Sequence, residues 1–167
     1  MRKINLRNSD VADEFFMNAA LLEARKAELK GEVPVGCVVV SEGRIISRGH
    51  NLSISLKDPT AHAEIIAIKK AAKALKNYRL TNCSIYVTIE PCPMCAGAIV
   101  WARIKKLCFG ASDSRTGSCG SILDIVQNNS FNHNVEVKKG VLRCESKNII
   151  TNFFKIKRTL NSSRQKK

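Results

Sequence analysis

Acidic residues are scarce in this chain of 167 residues: 14 Asp and Glu stand against 28 Lys and Arg, a formal net charge of +14. Such a balance says little about fold but favours a polyanionic partner, whether nucleic acid, an acidic membrane surface or an acidic protein. Long apolar runs are also missing. The longest, around residues 95–102, falls far short of the ~20 residues that span a bilayer, so no membrane-spanning segment is expected. Residues 1–10 alternate basic, apolar and polar side chains without the apolar stretch of a secretory signal. Cysteine is neither dense nor even. Seven cysteines do not make a secreted disulfide scaffold, and close pairs among them read as metal ligands or redox sites. A cytoplasmic location is the resulting expectation. Aromatics are few, and no repeat, low-complexity block or Pro/Gly/Ser-rich linker divides the sequence. With 44% apolar and 25% charged residues the composition is globular, and the length suits one domain. We place that domain at residues 1–160 and a basic tail at 161–167.

The hydropathy pattern predicts strands alternating with helices. Residues 10–30 read as a first helix, capped by Ser9, with Asp13 and Glu14 in its first turn and Lys30 near its end. Phe15, Ala19, Leu22 and Leu29 form its expected apolar face. Residues 35–40 are β-branched and nearly all apolar, a strand buried on both faces, and residues 45–48 fold back on it around Ser41-Glu42-Gly43. A second helix follows at 61–75, with Ile65, Ile68, Ala72 and Leu75 on one face and Lys69, Lys73 and Lys76 beside it. Strands are expected at 84–88, 107–110 and 135–137, and helices at 93–102 and 144–160. Alternation of this kind in one unit implies a three-layer α/β/α sandwich around a five-stranded sheet, mostly parallel or mixed.

Two short segments carry the chemistry: His62-Ala63-Glu64 and Pro91-Cys92-Pro93-Met94-Cys95. Zinc favours thiolate and imidazole, and a catalytic site keeps three protein ligands and one open position. Cys92 and Cys95, three apart at a helix start, project to one side, and the helix N-terminus favours the thiolate. His62 supplies a third ligand. Glu64 is then about 200° around an ideal helix from His62, so both reach one site only if His62 sits at the loop–helix junction. A redox CxxC or a closed structural zinc site would explain the pair of cysteines. Neither explains the upstream His-x-Glu, and no second close ligand pair supplies a fourth ligand. The remaining cysteines read as small buried hydrophobes. Zinc lowers the pKa of its bound water to about 7, and an unliganded carboxylate can relay the proton. Delivered to a ring carbon bearing an amino group, that hydroxide releases ammonia.

H-x-E followed by P-C-x-x-C is the signature of the zinc nucleobase deaminases, of cytidine deaminase-like fold. Further stretches narrow the resemblance: Glu32-Val33-Pro34-Val35-Gly36, Gly49-His50-Asn51, Asp58-Pro59-Thr60-Ala61, Asn77-Tyr78-Arg79-Leu80, Phe109-Gly110-Ala111, Asn132-His133 and Phe153-Phe154. Over residues 15–158 the chain resembles the bacterial tRNA-specific adenosine deaminase family. The resemblance implies hydrolysis of adenosine to inosine at the wobble position of a tRNA anticodon, by a homodimer with one Zn²⁺ per subunit. It implies ligands His62, Cys92 and Cys95, with Glu64 as proton shuttle. It further implies that Asn51 holds the flipped base, with the Val33–Val35 loop and the Ala63 backbone lining the pocket. Asp113, Asn132, His133, Phe154 and Arg158 would lie near the anticodon strand. Two departures from the pattern occur: Cys37 replaces a small non-thiol residue, and Ser114-Arg115 stands for Ala-Lys. The charge agrees with an RNA substrate, because phosphates supply a dense row of anions. Five basic residues and no acid lie between Glu64 and Glu90, and six basic residues and no acid lie from Lys155 onward. Trp101 is expected in packing or a dimer interface.

Overall fold

The structure, a computed structural model, describes residues 9–164. The N-terminal segment 1–8 and the end of the basic tail, 165–167, lie outside the described residues. Five strands form one mixed sheet: β1 (Gly36–Ser41), β2 (Arg44–His50), β3 (Cys83–Ile89), β4 (Lys106–Ala111) and β5 (Glu136–Lys139), in the order β2-β1-β3-β4-β5. The β1–β2 hairpin and the β1–β3 pair are antiparallel; β3–β4 and β4–β5 are parallel. As its composition predicts, β1 is buried along all but its last residue.

Helices cover both faces. α1 (Ser9–Leu29) packs its Phe16, Met17 and Ala20 with Val38, Tyr86 and Cys108 on one side of the sheet, which α5 (Arg143–Arg164) shares. On the other side, α3 (Ala63–Leu75) and α4 (Pro93–Trp101) enclose the larger core of Val39, Ile85, Val87, Ile99, Leu107 and Phe109. A four-residue helix, α2 (Ser53–Leu56), which hydropathy does not reveal, connects β2 to α3.

Two helix faces differ from expectation. In α1 the buried residues include Asp13, Phe16, Met17, Ala20, Ala24 and Ala27, whereas Phe15, Leu22 and Leu29 face outward. In α3 they are Ala63, Glu64, Ala67 and Ala71, with Leu75 exposed and Ile68 and Ala72 only partly buried. The cause is close approach. A Cβ on Gly36 would stand 1.9 Å from the Ala20 carbonyl oxygen, and one on Gly49 would stand 2.3 Å from that of Ala63. Helix backbones this near the sheet admit only small side chains between them, so alanines mark the inner face and larger aliphatics turn away. α5 also runs four residues past its expected end, through the first part of the basic tail.

Candidate active site

The site lies where parallel strands β3 and β4 end side by side, with Val87 in register with Phe109 and Ile89 with Ala111. Ligands of open α/β sheets favour the crevice beyond such carboxyl ends. From β3 the chain passes through Glu90 and Pro91 into α4. Cys92 is the N-cap of α4, in extended conformation, Pro93 occupies its first turn, and Cys95 lies within that turn. His62 is likewise the N-cap of α3, at φ −76° and ψ 155°. The regular helix therefore begins only at Ala63, which is the condition for His62 and Glu64 to share one site.

His62 Nδ1 lies 3.7 Å from Cys92 Sγ and 3.6 Å from Cys95 Sγ. The three ligand atoms fall within 4.8 Å of one another. A tetrahedral zinc with ordinary Zn–N and Zn–S bonds separates nitrogen from sulfur by about 3.6 Å. The donors thus fit zinc in chemistry and spacing, and three ligands leave a position open.

The charges agree. Hydrogen bonds from Cys95 and His62 hold the Cys92 thiol down to about 4, whereas its bond to Cys92, together with burial and the Glu64 charge, pushes Cys95 far up. Two adjacent sulfurs cannot both ionise unaided; a divalent cation removes the conflict by binding both as thiolates. His62 is raised, chiefly through its hydrogen bond with Cys92. Burial pushes Glu64 up to about 7. That carboxyl is buried yet lines the cavity, placed to hold or release a proton near neutrality.

The cavity has a volume of about 610 Å³, within the range of small-molecule sites. Val33 and Val35 line it, as does the loop of Asp113, Ser114, Arg115 and Thr116. α5 contributes Lys147, Ile150, Thr151, Phe154 and Arg158. Asn51 reaches it from the end of β2. Its Oδ1 accepts the Ala63 N–H at 2.9 Å, leaving its Nδ2 with no protein partner among the described residues.

The structure therefore gathers His62, Cys92, Cys95, Glu64, Asn51, Val33, Asp113, Phe154 and Arg158 about one centre. Three expected residues stand apart. Ala63 is fully buried and its N–H is taken by Asn51, so it sits beneath the pocket rather than lining it. Asn132 lines a separate, smaller hollow at the end of α4 with Trp101, Arg103 and Phe131, its carbonyl bound by Arg103. His133 Nε2 meets the Ile104 carbonyl at 2.8 Å. Both are thereby held against the segment that follows α4. Phe153 is buried, whereas Phe154 is 40% exposed. Lys69 and Lys73 are exposed on α3 and do not line the cavity. Cys37 is fully buried in the core, and Ser114 and Arg115 line the cavity.

Lys147 is a cavity residue that the pattern of basic runs misses. Its signal was spacing: Lys147, Thr151, Phe154 and Arg158 recur at helical intervals on one face of α5.

Residues 10–111 match the model of the cytidine and deoxycytidylate deaminase zinc-binding region. A tRNA-specific adenosine deaminase of Bacillus subtilis is 48% identical over 143 residues, covering 86% of this chain and 89% of that protein. One of Haemophilus influenzae is 52% identical over 147 residues, covering 87% and 85%. Among solved structures, a tRNA:A34 deaminase associated with A-to-I editing at the wobble position superposes with a TM-score of 0.78 at 44% identity, covering 81% of this chain and 98% of that one. A guanine deaminase of Bacillus subtilis superposes less well, with a TM-score of 0.57 at 44% identity over 59% of this chain and 64% of its own.

Proposed function

The chain belongs to the zinc-dependent cytidine and deoxycytidylate deaminase family, among its tRNA-specific adenosine deaminases, and from that membership we infer its reaction. It hydrolyses adenosine to inosine at the wobble position of a tRNA anticodon. One water is consumed and one ammonia is released. The observation that carries this reading is the His62–Cys92–Cys95 donor set with an unliganded, buried carboxylate, Glu64, beside it.

Zinc bound by those donors would lower the pKa of its water to about 7 and make a hydroxide available at neutral pH. The chain supplies the remainder. Glu64 moves the proton: with its carboxyl raised to about 7, it can take one at its carboxylate oxygen and return it to the purine, work worth ~10²–10⁴-fold. Asn51 orients the base through its free Nδ2 donor, while Val33 and Val35 give apolar walls that exclude water. Phe154 offers a ring on which a neighbouring base can stack. Asp113 turns its loop by accepting the Arg115 N–H and the Thr116 hydroxyl, and Arg115 and Arg158 face the phosphates.

A homodimer with one zinc per subunit fits the exposed aromatics at the end of α4: Trp101 is 78% exposed and shares a hollow with Phe131, also outward. A tRNA substrate argues for a cytoplasmic location. No helix among the described residues is long and apolar enough to cross a membrane. The test is Glu64→Ala: it should retain one zinc per chain and form no inosine in an adenosine-bearing anticodon stem-loop. Loss of zinc would make Glu64 a ligand and overturn its role.

A further inference from the structure

Glu90 is buried yet has no ion-pair partner among the described residues. Its carboxylate is held by neutral groups of one loop. Oε2 accepts the Asp113 N–H at 3.1 Å and the Ser121 hydroxyl. Oε1 accepts the N–H groups of Cys119 at 3.0 Å and Ser121 at 3.1 Å. A carboxylate taken from water without a cation requires such donors, and four of them make a rigid cradle. The fit is close, for a Cβ on Gly117 would stand 2.6 Å from the carboxylate.

The position of this cradle matters. Glu90 lies two residues before Cys92, and its own N–H donates to the Ala111 carbonyl at 2.8 Å. The loop it grips is the one that presents Asp113, Ser114, Arg115 and Thr116 to the cavity. The other bonds of that loop are largely internal: Gly117 to Asp113, Ile122 to Gly117, Gly120 to Leu123. A further bond to the metal-bearing segment is the Ser118 N–H donated to the Pro91 carbonyl at 2.9 Å.

We propose that Glu90 is a positioning residue for substrate recognition: it fixes the Asp113–Thr116 wall at a set distance from the Cys92 segment, so that the wall meets the nucleotides flanking the target adenosine. Glu90 borders the cavity, but both of its carboxylate oxygens are engaged by the loop, so its role is exerted through the wall. The inference rests on the deaminase reading above, and it assigns the substrate discrimination of that wall to a buried acid.

The test compares the full zinc-loaded chain with Glu90→Gln and Ser121→Ala, using an adenosine-bearing anticodon stem-loop. Gln keeps the volume but turns an NH₂ toward N–H donors; Ala removes only the hydroxyl donor. Glu90→Gln should raise KM about tenfold or more, with a smaller change in kcat and one zinc retained. Ser121→Ala should raise KM in the same direction by less. Hydrogen exchange, which needs no turnover, should quicken in residues 112–121 while 92–101 stay protected. If Glu90→Gln does not fold, Ser121→Ala decides by the same two readouts. Unchanged KM and unchanged exchange in the folded variants would overturn the proposal, as would loss of zinc in Glu90→Gln. Absence of wild-type turnover would instead overturn the deaminase reading, while the exchange readout still decides whether Glu90 holds the loop.

Discussion

Asn51 Oδ1 accepts the backbone N–H of Ala63 at 2.9 Å, joining the end of β2 to the first turn of α3, one residue before Glu64. The amide oxygen thus satisfies an N–H that a helix start leaves unpaired, and its NH₂ stays available at the cavity, as the donor proposed above for the base. Asn51→Asp keeps the acceptor and loses the donor. It should leave the melting temperature nearly unchanged and lower kcat/KM by about 10²-fold or more. A variant of wild-type activity would remove Asn51 from base recognition.

Lys147 and Arg158 lie on one face of α5 along the cavity and have no ion-pair partner among the described residues. Each should neutralise a phosphate of the bound strand. Replacing either by Ala should weaken stem-loop binding and flatten the plot of log K against log salt by about 0.7 for each phosphate no longer neutralised. Binding measured at several salt concentrations checks this; an unchanged slope would make the two cations solvated surface.

Gly49 lies under α3, where an added Cβ would meet the Ala63 carbonyl oxygen and the Ala67 nitrogen. Gly49→Ala should therefore displace the helix that carries His62 and Glu64. We expect a loss of about 1–3 kcal/mol in stability and a fall in kcat, seen together by urea unfolding and stem-loop turnover.

Asp13 is buried on the inner face of α1. Burial raises its pKa, but hydrogen bonds from Lys138, Tyr86 and Lys106 outweigh this and hold the carboxyl below its usual value. A depressed folded pKa stabilises above the unfolded value, and that stabilisation is lost as pH falls through the folded one. Asp13→Asn should cost about 2 kcal/mol at pH 7, a difference that shrinks below about pH 4. Urea unfolding at pH 7 and pH 3 gives the comparison.

The parts legible in the sequence were those written in short-range spacing. Cys92 and Cys95 are three residues apart on one turn, and His62 had to stand at a helix junction for Glu64 to share its site, as it does. The α/β/α layering followed from short β-branched, apolar segments alternating with segments of helical period. The inner faces of α1 and α3 were not legible, because alanine barely marks a hydropathy pattern while Phe15, Leu22 and Leu75 mark it strongly and face outward. What chooses the face is the Gly36 and Gly49 close approach, a relation between distant residues. The same holds for Glu90: its place beside the cysteine pair is visible in sequence, but only the folded loop brings donors to it. Asn132 and His133 matched a motif by sequence, but nothing local to that motif specifies which hollow of the surface they join.

Wobble deamination is measured by incubating the zinc-loaded chain with an anticodon stem-loop bearing adenosine at the wobble position. Free adenosine, cytidine and guanine are assayed in parallel, and the products are identified as nucleosides and bases. Inosine is expected at the wobble position of the stem-loop, with little or no turnover of the free compounds. Turnover of a free base or nucleoside with no inosine in the stem-loop would contradict that expectation.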